Sequence, residues 1–333
     1  VWMCSMCQRC IYVCPMKIDI PQLVFNARAQ WPRDQRPKGI LGSCDMAMRN
    51  TSGSAMGISE EDLIDTLEWL EDDLKMEVED EAAQIPLNKK NAKIIYTLNP
   101  REPKFFPLSI SAMAKVFYAA KEDWTISTKV YDVTNYSYFS GEEKDAKTLA
   151  ERYCAEIKKL EADKLVLGEC GHGYRAFRWE GPDWMNENYP VDAESVLQLM
   201  AEYIRLGRVK TDPSLNTKRV TLHDPCNLVR NGGIIEEQRY ILKNCVTDFV
   251  EMTPNRTDNY CCGGGGGQLA MSEYNERRMK IGKLKAEQIR ATGAKIVVTP
   301  CHNCVDQLTQ INVTFKLGVK IMTLGEIVAD AIV

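Results

Sequence analysis

An α/β fold, with parallel strands layered between helices behind a short α-helical cysteine module, is predicted by three features of this sequence. From residue 92 onward, apolar runs of strand length alternate with segments of helical spacing, the pattern of parallel βαβ layers. Ala162–Cys170 resembles Gly293–Cys301: in both, a helix feeds an apolar strand that ends at a cysteine with a histidine close behind. Ala92–Asn99 parallels Lys218–Asp224 in the same way, so two pseudo-repeated βαβ halves are expected. The third feature is an opening run of four cysteines that stands apart from this alternation. These features divide the chain into a cysteine module over 1–35, a connector with an acidic amphipathic helix over 36–90, and α/β halves over 91–212 and 213–333.

The elements follow in order. Ile18–Arg28 has helical spacing at Leu23, Val24 and Ala27, with Pro21 near its start. Residues 29–58 hold prolines, glycines and methionines without periodicity and read as a connector. Ser59 is an N-cap candidate for a helix carrying Leu63, Ile64, Leu67, Leu70 and Leu74. Between Glu60 and Glu81 there are 12 carboxylates against one lysine, Lys75, which reads as a solvated helix face. Strands are predicted at Lys93–Leu98, Lys129–Val133, Lys164–Leu167, Arg219–Leu222, Thr247–Met252, Lys295–Thr299 and Val319–Met322. Helices are predicted over Asp145–Glu161, Ala193–Leu206, Ile234–Asn244, Leu269–Thr292 and Val305–Gln310.

The composition excludes several classes. The 333 residues are 44% hydrophobic and 26% charged, an ordinary globular mix rather than a disordered one. A formal charge of −4 without a basic stripe gives no electrostatic case for nucleic acid. No apolar run approaches bilayer-spanning length, and no secretory signal is present. Clustered cysteines in a long α/β chain point to metal rather than to a disulfide scaffold, and so to a reducing, cytoplasmic setting.

Cys4, Cys7, Cys10 and Cys14, followed by Pro15, form C-x2-C-x2-C-x3-C-P, the bacterial ferredoxin pattern. In that pattern three thiolates hold one [4Fe–4S] cubane and the fourth serves the other cluster of a two-cluster fold. Soft sulfur donors match iron–sulfur clusters, whereas zinc ribbons pair two distant C-x2-C units. No second run follows Pro15. Either the partner run lies upstream of Val1, so that Cys14 reaches for a second cubane, or Cys14 closes a single one; the start at Val1 favours the first.

The second constellation is Cys226 after His223-Asp224-Pro225, then Cys261-Cys262 followed by Gly263 to Gly267, then Cys301 and Cys304. Each element falls where a parallel strand ends or a helix begins, and strand carboxyl ends in open α/β sheets converge on one crevice. Five thiolates exceed the needs of a cubane, and adjacent cysteines do not easily serve one iron. A larger or more open cluster is expected. The glycine run lacks the Lys-Ser or Lys-Thr of a phosphate loop. Gly263, Gly264 and Gly265 are therefore expected to bring backbone amides close to the cofactor at the start of the Leu269 helix.

Cys226, Cys261, Cys262, Cys301 and Cys304, about three dozen residues apart on each side of the pair, resemble the CCG cysteine-rich domain of heterodisulfide reductase catalytic subunits. Together with the N-terminal motif, the layout is similar to the fused form of that subunit. It resembles above all the K-type subunits of membrane complexes linked to dissimilatory sulfite reductase. The resemblance implies that the five cysteines hold one noncubane [4Fe–4S] cluster that cleaves a disulfide-type bond, fed by ferredoxin-type cubanes. It also implies a membrane b-type cytochrome or quinone-linked partner, and a small cysteine-bearing sulfur carrier or a thiol or disulfide as substrate. The chain then lies peripherally on the inner face of the cytoplasmic membrane. In the first half, Leu98-Asn99-Pro100 stands in place of the first ligand and Asn135-Tyr136-Ser137 in place of the pair, with only Cys170 remaining. One noncubane cluster is expected, not two.

Cys170 with His172 is a candidate relict site or proton donor facing the crevice, and His223 and His302, which flank ligand cysteines, are candidate proton relays or sulfur hydrogen-bonders. Cys154 and Cys245 read as small buried hydrophobes, Cys44 has no assignment, and Arg230 reads as a surface pair. The leading expectation is a disulfide or trisulfide reductase subunit. A pure electron relay and the iron–sulfur subunit of a hydroxy-acid or glycerol-phosphate dehydrogenase share the same architecture.

Overall fold

Two four-stranded, all-parallel sheets form the frame of the protein in a computed structural model that describes residues 1–185 and 192–333. The first sheet comprises β1 (Ile94–Tyr96), β2 (Trp124–Thr125), β3 (Lys164–Leu167) and β4 (Ala193–Ser195), in the order β2-β1-β3-β4. The second comprises β5 (Val220–Leu222), β6 (Phe249–Glu251), β7 (Ile296–Val298) and β8 (Lys320–Met322), in the order β6-β5-β7-β8. Helices cover the sheets, and β1, β3, β5 and β7 are buried apolar strands, as parallel strands shielded on both faces are. In the second sheet, the chain leaves β5 into His223–Cys226 and β7 into Thr299–Cys301, which delivers both segments to one sheet edge.

Several expectations need correction. Lys129–Val133 is not a strand: Ser127 Oγ accepts from the amides of Lys129 and Val130, at 3.1 and 3.2 Å, and this local turn replaces the ladder. The neighbouring strand is β2 instead, with one isolated bridge from Leu98 to Asp132. Ala193 joins the sheet, and the following helix starts at Val196, because Ser195 caps it in a box with Gln198. The Leu269 helix begins only at Asn275, after two short 3-10 turns. Residues 29–58 contain a full helix, Lys38–Arg49, burying Ile40, Cys44 and Ala47. The Leu108–Ala120 helix is buried on most faces, so it lacks the apolar stripe by which helices are recognised. Ser59 does cap Glu60–Val78 in a box with Asp62, and Leu63, Leu67, Leu70 and Leu74 form its buried face.

The N-terminal segment docks across both α/β parts. Arg28, fully buried, donates to the carbonyls of Cys4 (2.8 Å), Phe139 (2.6 Å), Gly266 (2.8 Å) and Val1 (3.2 Å), and its guanidinium covers Trp2. Burial lowers its pKa to about 10, and its partners are carbonyls rather than carboxylates. Glycines admit the close approach. A Cβ on Gly266, at φ +60°, would stand 2.7 Å from the Cys4 carbonyl oxygen, and one on Gly141, at φ +83°, 2.5 Å from the Ala29 nitrogen. Arg28→Met would leave several buried carbonyls without donors, at roughly 1–3 kcal/mol each. We expect a lower denaturation midpoint, together with faster alkylation of Cys4 and Cys7 in the iron-free protein, read by mass spectrometry.

Candidate metal centre

The C-terminal cysteines meet in a buried crevice at the carboxyl ends of β5 and β7. Cys226 follows β5, Cys301 follows β7 and Cys304 lies one turn into the His302–Phe315 helix. The Cys262 and Cys304 sulfurs are 3.4 Å apart. Cys261 also lies close to Cys226 and Cys262, and Cys301 close to Cys304, so that each acts on the other's charge. The chain of sulfurs does not stop at the sheet: Cys7 of the N-terminal loop also lies close to Cys261. The two cysteine sets therefore touch.

This network polarises the thiols. Cys261 is lowered first by its hydrogen bond from Cys226, Cys262 by that from Cys261, and Cys301, to about 7, by that from Cys304. Their donors are raised in turn: Cys7 and Cys226 by the bond to Cys261, and Cys304 by the bond to Cys262. Backbone amides point at the same sulfurs. Gly263 donates to Cys261 (3.3 Å), Gly264 to Cys262 (3.4 Å) and Gly171 to Cys301 (3.5 Å). Gly265 has another use: a Cβ there would lie 2.8 Å from the Ser5 carbonyl oxygen, so it admits the N-terminal loop.

The donor set fits an iron–sulfur group. A narrow crevice is lined by Cys226, Cys262, Cys301 and Cys304 with His172 and Asn303. Two of its buried polar atoms, His172 Nε2 and Asn303 Oδ1, have no hydrogen-bond partner, and neither does His223 Nδ1 behind it. His223, Cys262 and Cys304 offer ligand atoms within 4.8 Å of one another.

At the N-terminal site, Cys10 is raised by burial and then by the charges of Cys7 and Cys4, so these three face one another. Cys14 points elsewhere. Its thiol lies at the solvent surface, lowered by amides of Ile18, Met16 and Lys17.

The remaining candidates separate. Cys170 faces the crevice: Asn99 Nδ2 (3.2 Å) and the Gly173 amide (3.3 Å) donate to its sulfur, while burial and then the Cys301 charge raise its pKa. His302 turns away into the first half, where one ring nitrogen meets the Glu169 carbonyl (3.1 Å) and the other Ser109 Oγ (2.9 Å). Arg230 is not a surface pair. It is buried and donates to the carbonyls of Thr257 (2.8 Å), Cys7 (2.7 Å) and Asn259. Cys44, Cys154 and Cys245 are buried apart from these sets. One residue escaped sequence reasoning: Lys285, which lies in a helix with a weak apolar stripe. His172, read from the sequence together with Cys170, is buried beside Phe139 and pairs with Asn303.

Two measurements follow. In the iron-free protein Cys14 should be the cysteine most rapidly alkylated, read by peptide mapping. Glu169 is buried, the Leu324 and Gly325 amides donate to its carboxylate at 2.8 and 3.2 Å, and burial raises its pKa from 4.5 to about 8. A raised folded-state pKa contributes stability that is full below 4.5 and lost as pH rises through 8. Glu169→Gln should flatten that decline in urea titrations across this range.

Residues 220–309 match the family model described as CCG, cysteine-rich domain. The chain is similar to the Hdr-like menaquinol oxidoreductase iron–sulfur subunit 2 of Archaeoglobus fulgidus, 26% identical over all of this chain and 67% of that protein. It is also similar to a polypeptide of the dihydromethanophenazine:CoB–CoM heterodisulfide reductase of Methanosarcina mazei, 30% identical over 54% of this chain and 44% of that one. The EtfAB:quinone oxidoreductase of Syntrophomonas wolfei is 23% identical over 92% of this chain and 43% of its own length. The chain thus spans about two thirds of the first relative and less than half of the other two. A solved putative Asp/Glu racemase from Yersinia pestis aligns with 72% of this chain and 96% of its own at 10% identity and a TM-score of 0.32, too low to carry an argument. Among the described residues, no helix is long and apolar enough to cross a membrane.

Proposed function

Because this chain carries a CCG cysteine-rich domain and is similar to heterodisulfide-reductase-like iron–sulfur proteins, we propose that it is the iron–sulfur subunit of a quinone-linked membrane redox complex that reduces a disulfide or trisulfide. Cys4, Cys7 and Cys10 would hold a ferredoxin-type cubane, and Cys226, Cys261, Cys262, Cys301 and Cys304 a noncubane [4Fe–4S] cluster. Such clusters, when bound, supply single electrons to a reaction that needs two, since S–S reduction to two thiols takes two electrons and two protons. The observation that carries this reading is the seating of the N-terminal cysteine loop on the second cysteine set: Arg28 joins the carbonyls of Cys4 and Gly266, at 2.8 Å each, and Arg230 holds the Cys7 carbonyl at 2.7 Å.

The chain's own residues supply what such a site needs. Amides of Gly171, Gly263 and Gly264 are aimed at sulfur and favour its charged form. Cys170, held as a thiol by burial, keeps a proton beside Cys301 where a departing thiolate needs one. His223 is held neutral by burial and by Lys285, and it meets Cys262 and Cys304 without adding charge. The matching strand orders of the two sheets support reading 91–212 and 213–333 as related halves behind the 1–35 module and the 36–90 connector. The exposed, amide-lined Cys14 supports its service to a second cubane. The menaquinol, methanophenazine and quinone in the relatives' names support a quinone-type electron partner. They equally support attachment to the membrane through partner subunits, for which we propose the inner face.

A pure relay is the second reading, favoured by the similarity to the EtfAB:quinone oxidoreductase over most of the chain. Paramagnetic resonance of the oxidised protein separates the two. The reductase should develop a signal with a small thiol that is lost in Cys262→Ser, while the reduced-state signal of the N-terminal site persists. Silence towards every thiol and disulfide would leave the relay.

A further inference from the structure

We propose that Lys285 is the resident cation of the C-terminal cysteine set, a positioning residue whose buried ammonium offsets thiolate charge and raises the reduction potential of that site. This inference rests on the reading that an iron–sulfur cluster occupies those cysteines.

Lys285 belongs to the Asn275–Thr292 helix, which packs against the His302–Phe315 helix that carries Cys304. It is only 1% exposed. Its ammonium donates to Asn259 Oδ1 at 2.9 Å and otherwise meets the Met252 sulfur at 3.9 Å, with Met252 packed among Cys262, Cys301 and Cys304. No carboxylate pairs with it among the described residues. Asp224, the acid whose charge acts on it, is already bound at both oxygens by Arg239 (2.9 and 3.0 Å) and by the Arg256 amide (2.7 Å). Burial lowers the pKa of Lys285 from 10.5 to about 8, and the groups that oppose this by favouring its charged form are Cys262 first, then Cys261, Asp224 and Cys304.

An unpaired ammonium in the interior costs several kcal/mol unless an anion faces it. An apolar side chain would fill the same place in the helix without that penalty. Here the facing anions are thiolates, and they are permanent only when metal-bound. His223 does not take this part, since burial and Lys285 itself hold its ring neutral. Lys285 is also absent from the cavity lining, so it stands behind the cysteines rather than in the path of a substrate. Each one-electron reduction adds a negative charge to the site. A fixed positive charge in a low-dielectric setting stabilises that state more than the oxidised one.

The test is a redox titration of the iron-loaded full chain, followed by paramagnetic resonance, with iron and acid-labile sulfide measured alongside. Lys285→Gln should lower the midpoint of the C-terminal site by at least the ~59 mV that corresponds to tenfold in a one-electron equilibrium. The N-terminal midpoint should move less, and Lys285→Arg should restore the original value. An unchanged C-terminal midpoint in a fully loaded Lys285→Gln protein overturns the proposal. Should Lys285→Gln and Lys285→Met both lose the cluster, its retention in Lys285→Arg supports a charge requirement. Loss in all three shows a packing role and overturns it. A wild-type chain with no cluster at these cysteines would instead defeat the functional reading on which the inference rests.

Discussion

The turn that carries Cys4 and Cys7 is held by one guanidinium. Arg28 gathers the carbonyls of Val1 and Cys4 from the turn, Phe139 from the first half and Gly266 from the second. Carbonyl oxygens carry only partial charge, so this cation is solvated by the fold without being neutralised. That arrangement places positive potential beside the cysteine loop. Arg230 repeats the device on the other side of the loop, where it donates to the Cys7 carbonyl. With both in place, the Cys7–Cys261 contact follows from backbone geometry, and the two ligand sets share a wall.

The glycine run has a double use that its composition alone did not reveal. Its first two amides serve the sulfurs of Cys261 and Cys262. Gly265 and Gly266 instead leave room for the backbone of Cys4 and Ser5, and Gly267 for Ile40, whose Cδ1 would lie 2.4 Å from a Cβ there. A single segment therefore both finishes one ligand set and receives the other.

The α/β alternation and the CCG cysteine groups were legible because each rests on local spacing. Most strands came within a residue or two for the same reason, since short buried apolar runs between helices are distinctive. What was hidden depended on contacts between distant segments. His302 follows Cys301 directly, yet its ring is engaged by Glu169 and Ser109, residues of the other half. Arg230 looked exposed because a lone arginine usually is, but the N-terminal loop covers it. Lys285 gave no sign, since a lysine in a charged helix is ordinarily solvated. The Leu108–Ala120 helix was missed because burial on most faces removes the stripe that periodicity detects.

The half that lacks the cysteine set is not idle. Arg101, buried, pairs with Asp306 at 2.9 Å and with the Tyr136 hydroxyl at 3.0 Å, so it binds the helix that carries Cys304. The Glu169 carbonyl accepts the His302 amide at 2.9 Å, and Asn303 meets His172. Asn99 donates its side-chain amide to Cys170 and accepts the Arg101 amide at 3.0 Å. The first half thus applies its hydrogen-bonding groups to the segment between Cys301 and Cys304. Thiols kept rigid at one edge and closed over by a second α/β layer exclude water from the crevice. In such a dry setting, the charge of a buried lysine or a glycine amide acts on sulfur with little screening.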